Sequence, residues 1–290
     1  MNFGFECYSC ILRQGYEAAT MVTDNDDVIR EILSEICSEL AKLDPTISPP
    51  EFIAIVHQII KKKTGVEDPY AKIKAKNMKT SLQIYPKVEK IVSNSDDPLL
   101  ASLVMSAVGN SIDTAVGLEV DIVKNIEKSL QTGLNYSDYG LLKEELDQAD
   151  NVLIIADNTG EAVFDRLLLK ELNKLDMKIT YVVRSKAVLN DITIRDAKKL
   201  NIDSMAEVIE SGTFTPGVIL SQCNDNFKNI YYNSDLIISK GQGNLEGLSN
   251  AGENIFFLLK AKCKFIEFIL KNGIEKGDLV LIKSDKISEK

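Results

Sequence analysis

Histidine is nearly absent from this sequence, in which His57 is the single one among 290 residues. It lies in the apolar helical segment FIAIVHQII, where we expect a packed helix residue rather than a catalyst. Because histidine is the side chain that enzymes most often use as a general base, this scarcity excludes most imidazole-dependent chemistry. Any reaction of this protein is therefore expected to use other side chains.

The sequence also lacks an excess of positive charge and any long apolar run. Its 34 Lys and Arg against 43 Asp and Glu give a formal net charge of -9, which argues against binding nucleic acid or an anionic membrane through a basic face. The first residues lack a signal-peptide pattern, and lysines interrupt the apolar stretches well short of a membrane span. We expect a cytoplasmic protein with no nucleic-acid or membrane partner, and the sequence leaves the oligomeric state open.

Cysteines are few, and their number of five is odd, which favours reduced thiols over a disulfide framework. Cys7 and Cys10 form one Cys-x-x-Cys pair without a second such pair elsewhere, so a four-cysteine zinc site is not supported. A structural, a metal-binding and a redox role stay open for this pair.

The periodicity of apolar residues changes near the middle of the chain. Over residues 1–148 apolar residues recur at intervals of three and four between Asp, Pro and Gly, which is typical of amphipathic helices. Over residues 149–290 short β-rich segments alternate with amphipathic helical ones. This alternation predicts an α/β domain with a mainly parallel sheet and crossover helices.

Polar residues follow the first predicted strand at once in NVLIIADNTGE. In an open parallel sheet the ligand crevice lies beyond the carboxyl ends of the strands, so Asp157 and Asn158 stand where a ligand is expected. Asn158 could instead cap the next helix with Glu161 as its capping-box partner, while Gly160 helps to build the turn. A carboxylate that ends a buried strand is costly unless it is paired or holds a cation. Asp and Asn supply oxygen ligands that suit Mg²⁺ or Mn²⁺, so we favour a divalent-metal site.

Further oxygen donors follow the second predicted strand in VLNDITIRD. Asp191 lies nearer the strand end and is our first candidate for a third ligand, with Asp196 as the alternative. Asn190 and Asp191 could also form a simple turn, with Asp196 on an exposed helix face.

The fourth predicted strand ends in ISKGQGNLEGL. Its glycines are spaced too widely for the dinucleotide motif G-x-G-x-x-G, and the chain contains no P-loop motif, so no nucleotide cofactor is expected. A lysine followed by glycines before a helix suits an oxyanion, which makes Lys240 and Gly241 candidate phosphate contacts. The alternative is a tight turn that leaves Lys240 in solvent.

Several segments together resemble one known family. The segments are IADNTGE, LNDITIRDA, ESGTFTPG, DLIISKGQGNLEGL and GNSID. In order, they resemble the metal-dependent damage-control phosphatases, and the N-terminal cysteine pair is similar to that of the microbial branch. The resemblance runs from about Cys7 to FFLLKAKC, which is essentially the whole chain. The Arg-Thr-x-Lys motif of the eukaryotic protein-carboxylate branch is not found, which argues against the substrates of that branch.

The resemblance implies a helical N-terminal part packed on a Rossmann-like three-layer α/β/α domain. It also implies hydrolysis of small phosphorylated metabolites, such as sugar phosphates, with a divalent ion that is Mn²⁺, Co²⁺, Ni²⁺ or Mg²⁺. The implied roles are metal ligands at Asp157, Asn158 and Asp191, phosphate contacts at Lys240, Gly241 and Gly160, and substrate contacts at Asn110, Asp113 and Glu161.

Asp157 and Lys240 are the candidate catalytic residues. Asp157 is expected either to hold a metal that orients a water or to attack phosphorus itself. Lys240 is expected to neutralise charge on the phosphoryl oxygens and to contribute little to stability. A haloacid-dehalogenase-type phosphatase is an alternative, but the second Asp of its motif would fall at Thr159. A non-catalytic module that binds sugar phosphates or nucleotides is the alternative from another class.

Overall fold

The computed structural model describes residues 3–44, 46–112, 119–252, 254–270 and 273–287. Six helices precede the first strand, namely α1 (Phe5–Thr20), α2 (Asp26–Ala41), α3 (Pro49–Thr64), α4 (Ala71–Ser93), α5 (Pro98–Ile112) and α6 (Glu119–Thr132). Six more follow it in the described part of the chain, namely α7 (Tyr139–Leu146), α8 (Thr159–Leu172), α9 (Ile194–Lys199), α10 (Asp225–Tyr232), α11 (Gln242–Leu248) and α12 (Lys264–Leu270).

The strands form one seven-stranded sheet. They are β1 (Tyr136–Ser137), β2 (Asn151–Ile155), β3 (Lys178–Val183), β4 (Glu207–Glu210), β5 (Leu236–Lys240), β6 (Ile255–Lys260) and β7 (Leu279–Lys283). Their spatial order is β1-β7-β6-β5-β2-β3-β4, and the β6–β7 pair is the antiparallel one. From β4 to β7 this is the Rossmann order, in which the strand order reverses between β2 and β5 and ligands bind beyond that point.

The sheet is buried on both faces because its strands are almost continuously apolar. Along β2, Val152 and Ile154 belong to one core cluster, whereas Leu153 and Ile155 belong to the other. This alternation follows from the period of two residues in a strand. Helices cover both faces, which confirms the predicted three-layer α/β/α arrangement with a mainly parallel sheet.

The N-terminal helices pack on the sheet domain in two groups. Helices α4 and α5 lie against α8, and their apolar residues share one core cluster with one face of the sheet. Helices α1 to α3 form a separate cluster that also includes Val188, from the loop after β3. The region expected to be all helical also supplies the short edge strand β1, which pairs with β7. The division into domains at residues 148 and 149 stays a prediction. No helix in the described ranges is long and apolar enough to cross a membrane.

His57 is buried on α3, where its ring stacks on Tyr70 with centroids 5.8 Å apart. Burial lowers the pKa of His57 to about 4, and the Asp68 carboxylate opposes this only in part. An exposed histidine in the unfolded chain titrates near pH 6.5. Between these values the unfolded chain binds the proton and the folded chain does not, so the free energy of unfolding decreases as pH falls from about 6.5 to about 4.

We expect this histidine to account for about 3 kcal/mol of acid destabilisation. The measurement is urea denaturation of the wild type and His57→Gln at several pH values. The comparison between variants is needed because buried carboxylates titrate in the same range. Parallel pH profiles for the two proteins would contradict the assignment.

Candidate active site

Asp157 and Asn158 lie at the switch point of the sheet, directly beyond β2. Both side chains are buried, with 6% and 4% of their surface exposed, yet both line a cleft of about 380 Å³ between the sheet domain and helices α1 and α3. Gly241, just after β5, packs against the Asp157 carboxylate. A Cβ atom at Gly241 would lie 2.1 Å from Asp157 Oδ2, and its φ of +82° is also one that favours glycine.

The Asn158 side chain does not cap α8, although the residue occupies the N-cap position. Its Nδ2 instead donates to Asp157 Oδ2 at 2.8 Å and to Glu161 Oε1 at 3.2 Å. The contacts of this side chain are therefore with two carboxylates rather than with the first turn of the helix. The capping-box interpretation does not describe this structure.

The chain brings Asp191 to the same place through backbone pairing. Asn158 and Asp191 form an isolated antiparallel bridge, and the N–H of Ile192 donates to the carbonyl of Asp157 at 2.9 Å. Asp191 also lines the cleft and is 2% exposed. The structure thus assembles the three predicted metal ligands, Asp157, Asn158 and Asp191, on one wall of the cleft.

Asp196, the alternative third ligand, lies elsewhere. Its carboxylate forms the capping box of α9 with Thr193 and an ion pair with Lys74 Nζ at 3.4 Å. It is not among the residues that line the cleft. The geometry therefore favours Asp191, as the sequence order indicated.

The paired carboxylates suit a hard divalent cation. Burial and the neighbouring Asp191 raise the pKa of Asp157 to about 6, and burial also raises the pKa of Asp191. Two buried like charges repel each other, and a cation between them would relieve that repulsion. Within the described residues no three His, Cys, Asp or Glu side chains form a metal-binding group. A site here would consequently use the Asn158 amide beside the two carboxylates, which is an oxygen donor set.

Lys240 is more deeply buried than the sequence analysis predicted. Its side chain is fully buried, and its Nζ lies 2.9 Å from Glu161 Oε2 and 2.6 Å from Asp165 Oδ1. Burial alone would lower the pKa of Lys240, but Asp165 and Glu161 raise it above its ordinary value. Lys240 is not among the cleft-lining residues. A role in phosphate binding stays a prediction, but the present contacts of Lys240 are structural ion pairs.

The remaining predicted phosphate and substrate contacts are either buried or lie outside the described residues. Glu161 is 4% exposed, and its carboxylate faces Lys240 and Asn158 rather than the cleft. Gly160 is buried in the first turn of α8. The side chain of Asn110 and the whole of Asp113 lie outside the described residues.

Lys262 is a cleft residue that the sequence analysis missed. It is exposed, it lines the cleft, and it follows β6, so it lies at the same edge of the sheet as Asp157. Burial and Asp191 raise the pKa of Asp157, and Lys262 is the cation that opposes them most strongly. Its position after an apolar strand was the available signal, in the segment FFLLKAK.

Three thiols also line the cleft, those of Cys7, Cys10 and Cys263. They are free, and burial raises the pKa of Cys7 to about 11. A thiol with so high a pKa is protonated at neutral pH, whereas reactive cysteines have lowered pKa values. The raised pKa of Cys7 therefore argues against a nucleophilic role for that thiol.

Comparison with known proteins identifies the class. Residues 5–276 match the family described as the damage-control phosphatase ARMT1-like domain. A damage-control phosphatase of Archaeoglobus fulgidus is 34% identical, over 94% of this chain and 96% of that protein. Damage-control phosphatase PH1575 of Pyrococcus horikoshii is 32% identical, over 98% of this chain and 99% of that protein.

A crystal structure of a DUF89 family protein from Pyrococcus horikoshii has the same fold. It superposes with a TM-score of 0.90 at 29% identity and covers 98% of this chain and 99% of that one. The chain belongs to the damage-control phosphatase ARMT1-like family. This membership supports phosphatase activity on damaged metabolites.

Proposed function

We propose that this protein is a metal-dependent phosphatase that hydrolyses small phosphorylated metabolites, such as sugar phosphates. The observation that carries the proposal is the convergence of Asp157, Asn158 and Asp191 on the cleft at the switch point of the sheet. The family comparison supports the reaction class, and the oxygen donors support a hard divalent ion such as Mn²⁺, Co²⁺, Ni²⁺ or Mg²⁺. A volume of about 380 Å³ suits a small ligand rather than a macromolecule.

Asp157, Asn158 and Asp191 would hold the metal ion. When bound, such an ion supplies positive charge to the phosphoryl oxygens and lowers the pKa of a coordinated water. Phosphoryl transfer needs mainly positioning and charge stabilisation from the enzyme, with little covalent chemistry by protein groups.

Other residues of the chain can neutralise phosphate charge, contact the substrate and orient the metal ligands. Lys262 stands at the cleft edge, where its ammonium can neutralise a phosphate oxygen. Arg13 and Tyr70 reach the cleft from the helical side, so they can contact the organic part of the substrate. Glu161 holds the Asn158 amide in place from behind. Whether Asp157 attacks phosphorus itself is a separate point, which acid quenching would resolve by trapping an aspartyl-phosphate that hydroxylamine cleaves.

Dialysis against a chelator is expected to abolish phosphate release, and readdition of a divalent ion is expected to restore it. The assay is a phosphate-release screen over small phosphorylated metabolites, repeated with each of the four ions. Full turnover by metal-free protein would contradict the metal requirement. Tight ligand binding without phosphate release in any condition would favour a non-catalytic binding module instead.

A further inference from the structure

Arg184 is a buried charge that contacts the candidate metal site from behind. It follows β3, is 1% exposed, and its Nε donates to Asp191 Oδ2 at 2.8 Å. A buried guanidinium is tolerated only when it is paired, and here Asp191 is the partner. Because Asp191 also lines the cleft, its other oxygen, Oδ1, is the one left for a ligand.

The second contact of Arg184 fixes the guanidinium in one orientation. Its Nη2 donates to Asn244 Oδ1 at 2.8 Å, and the same oxygen accepts the Val218 N–H at 2.9 Å. Asn244 is fully buried on α11. A planar guanidinium can reach an amide and a carboxylate at once, whereas a lysine ammonium is a point charge without this fork.

Asn244 also connects this guanidinium to the ends of two strands. Its Nδ2 donates to the carbonyl of Ala156 at 3.0 Å and to that of Lys240 at 2.6 Å. Ala156 immediately precedes Asp157, and Lys240 immediately precedes the glycine that packs on the Asp157 carboxylate. The Asn244 side chain therefore links the backbone next to Asp157 to Arg184, and Arg184 in turn binds Asp191.

We propose that Arg184, anchored by Asn244, is a positioning residue that holds Asp191 with one carboxylate oxygen facing the cleft, ready for a divalent cation. The inference rests on the proposed function, because it gives Arg184 and Asn244 a role in the same metal site. The guanidinium is fixed by its contacts with Asp191 and Asn244, because its Nη1 is buried and makes no hydrogen bond in the described part of the chain. Outer partners that orient metal ligands typically contribute about 10–100-fold to metal affinity.

The decisive variant is Arg184→Lys, which keeps the positive charge and removes the fork. Calorimetric titration of metal-free protein with Mn²⁺ is expected to show a loss of about 10–100-fold in affinity. A variant that removes the positive charge of Arg184 is less informative, because losing a nearby cation by itself raises the affinity for a metal ion.

Lys74→Arg is the matched control. Lys74 is also a buried cation paired with two carboxylates, those of Asp68 and Asp196, but neither of these carboxylates lines the cleft. This variant is expected to change the thermal midpoint without changing Mn²⁺ affinity. An equal loss of affinity in Lys74→Arg would overturn the proposal, because it would show a general effect of disturbed packing.

Asn244→Ser provides a second test if Arg184→Lys does not fold. It leaves the charge of the site unchanged and releases the guanidinium from its anchor, so Mn²⁺ affinity is expected to fall in the same direction. Wild-type affinity in the folded variants would overturn the inference. Failure of the wild type itself to bind Mn²⁺ or any of the other three ions would instead overturn the proposed function, so the two failures are distinguishable.

Discussion

Replacing Asp157 by asparagine is expected to abolish metal binding and turnover together. The change removes a negative charge from the cleft wall and keeps the shape of the side chain. We expect Mn²⁺ affinity to fall by more than the roughly 100-fold that loss of an outer partner can cause. Calorimetric titration and phosphate-release kinetics on the same preparation would measure both quantities.

The same variant is expected to be more stable than the wild type without metal. Burial and Asp191 raise the pKa of Asp157 to about 6, against about 3.9 for an exposed aspartate. The folded state therefore binds this proton more tightly than the unfolded state, and the contribution of this group to stability is lost as pH rises from about 4 to about 6. At pH 7 the ionised carboxylate then costs about 3 kcal/mol, which Asp157→Asn removes. Urea denaturation with a chelator at pH 7 and pH 4 would test this, since the gain is expected only at the higher pH.

Two further aspartates serve as a positive and a negative control. Asp191→Asn is expected to lose metal affinity as Asp157→Asn does, because both carboxylates line the cleft. Asp196→Asn is expected to keep it, because that carboxylate caps α9 and pairs with Lys74. Unchanged metal affinity in Asp157→Asn would remove the basis of the proposed site.

The positions of the candidate ligands could be predicted because parallel strands place their carboxyl ends at one edge of a sheet. Asp157 and Asn158 follow an apolar strand directly, and Asp191 lies closer to its strand end than Asp196. These are local features that periodicity reveals. The switch point itself could not be predicted in this way, because strand order depends on contacts between distant segments.

The sequence did not reveal how deeply each lysine near the site is buried. Lys240 and Lys262 each lie at or just after the end of a strand, yet the first is fully buried and the second is exposed in the cleft. The difference arises from Asp165, which lies on α8 and reaches Lys240 from the neighbouring layer. A pattern in one segment contains no information about a partner that arrives from another. The sequence analysis therefore assigned the phosphate contacts to Lys240, Gly241 and Gly160, and not to Lys262.

The environment of Lys240 predicts an effect on stability that the sequence analysis did not anticipate. Its ammonium pairs with Glu161 and Asp165, and Asp165 also accepts hydrogen bonds from Ser106 Oγ at 2.5 Å and Tyr181 OH at 2.6 Å. Removing one partner of a buried ion pair leaves an uncompensated charge and typically costs about 3–5 kcal/mol. We therefore expect Lys240→Met to lower the free energy of unfolding by about 3–5 kcal/mol, measured by urea denaturation. Adding Asp165→Asn to this variant is expected to recover part of the loss, because it removes one stranded carboxylate.

Lys262→Met is the matched comparison, because it replaces a lysine at the same edge of the sheet by the same side chain. Lys262 is exposed, so its replacement is expected to change the free energy of unfolding by less than about 0.5 kcal/mol. It is expected to raise the activation barrier for phosphate release by about 3 kcal/mol, the scale for losing one preorganised charged or polar donor. The reverse result, with Lys240→Met stable but inactive and Lys262→Met fully active, would return the phosphate contact to Lys240. That outcome would also require Lys240 to leave Glu161 and Asp165 when substrate binds, since its ammonium does not reach the cleft in this structure.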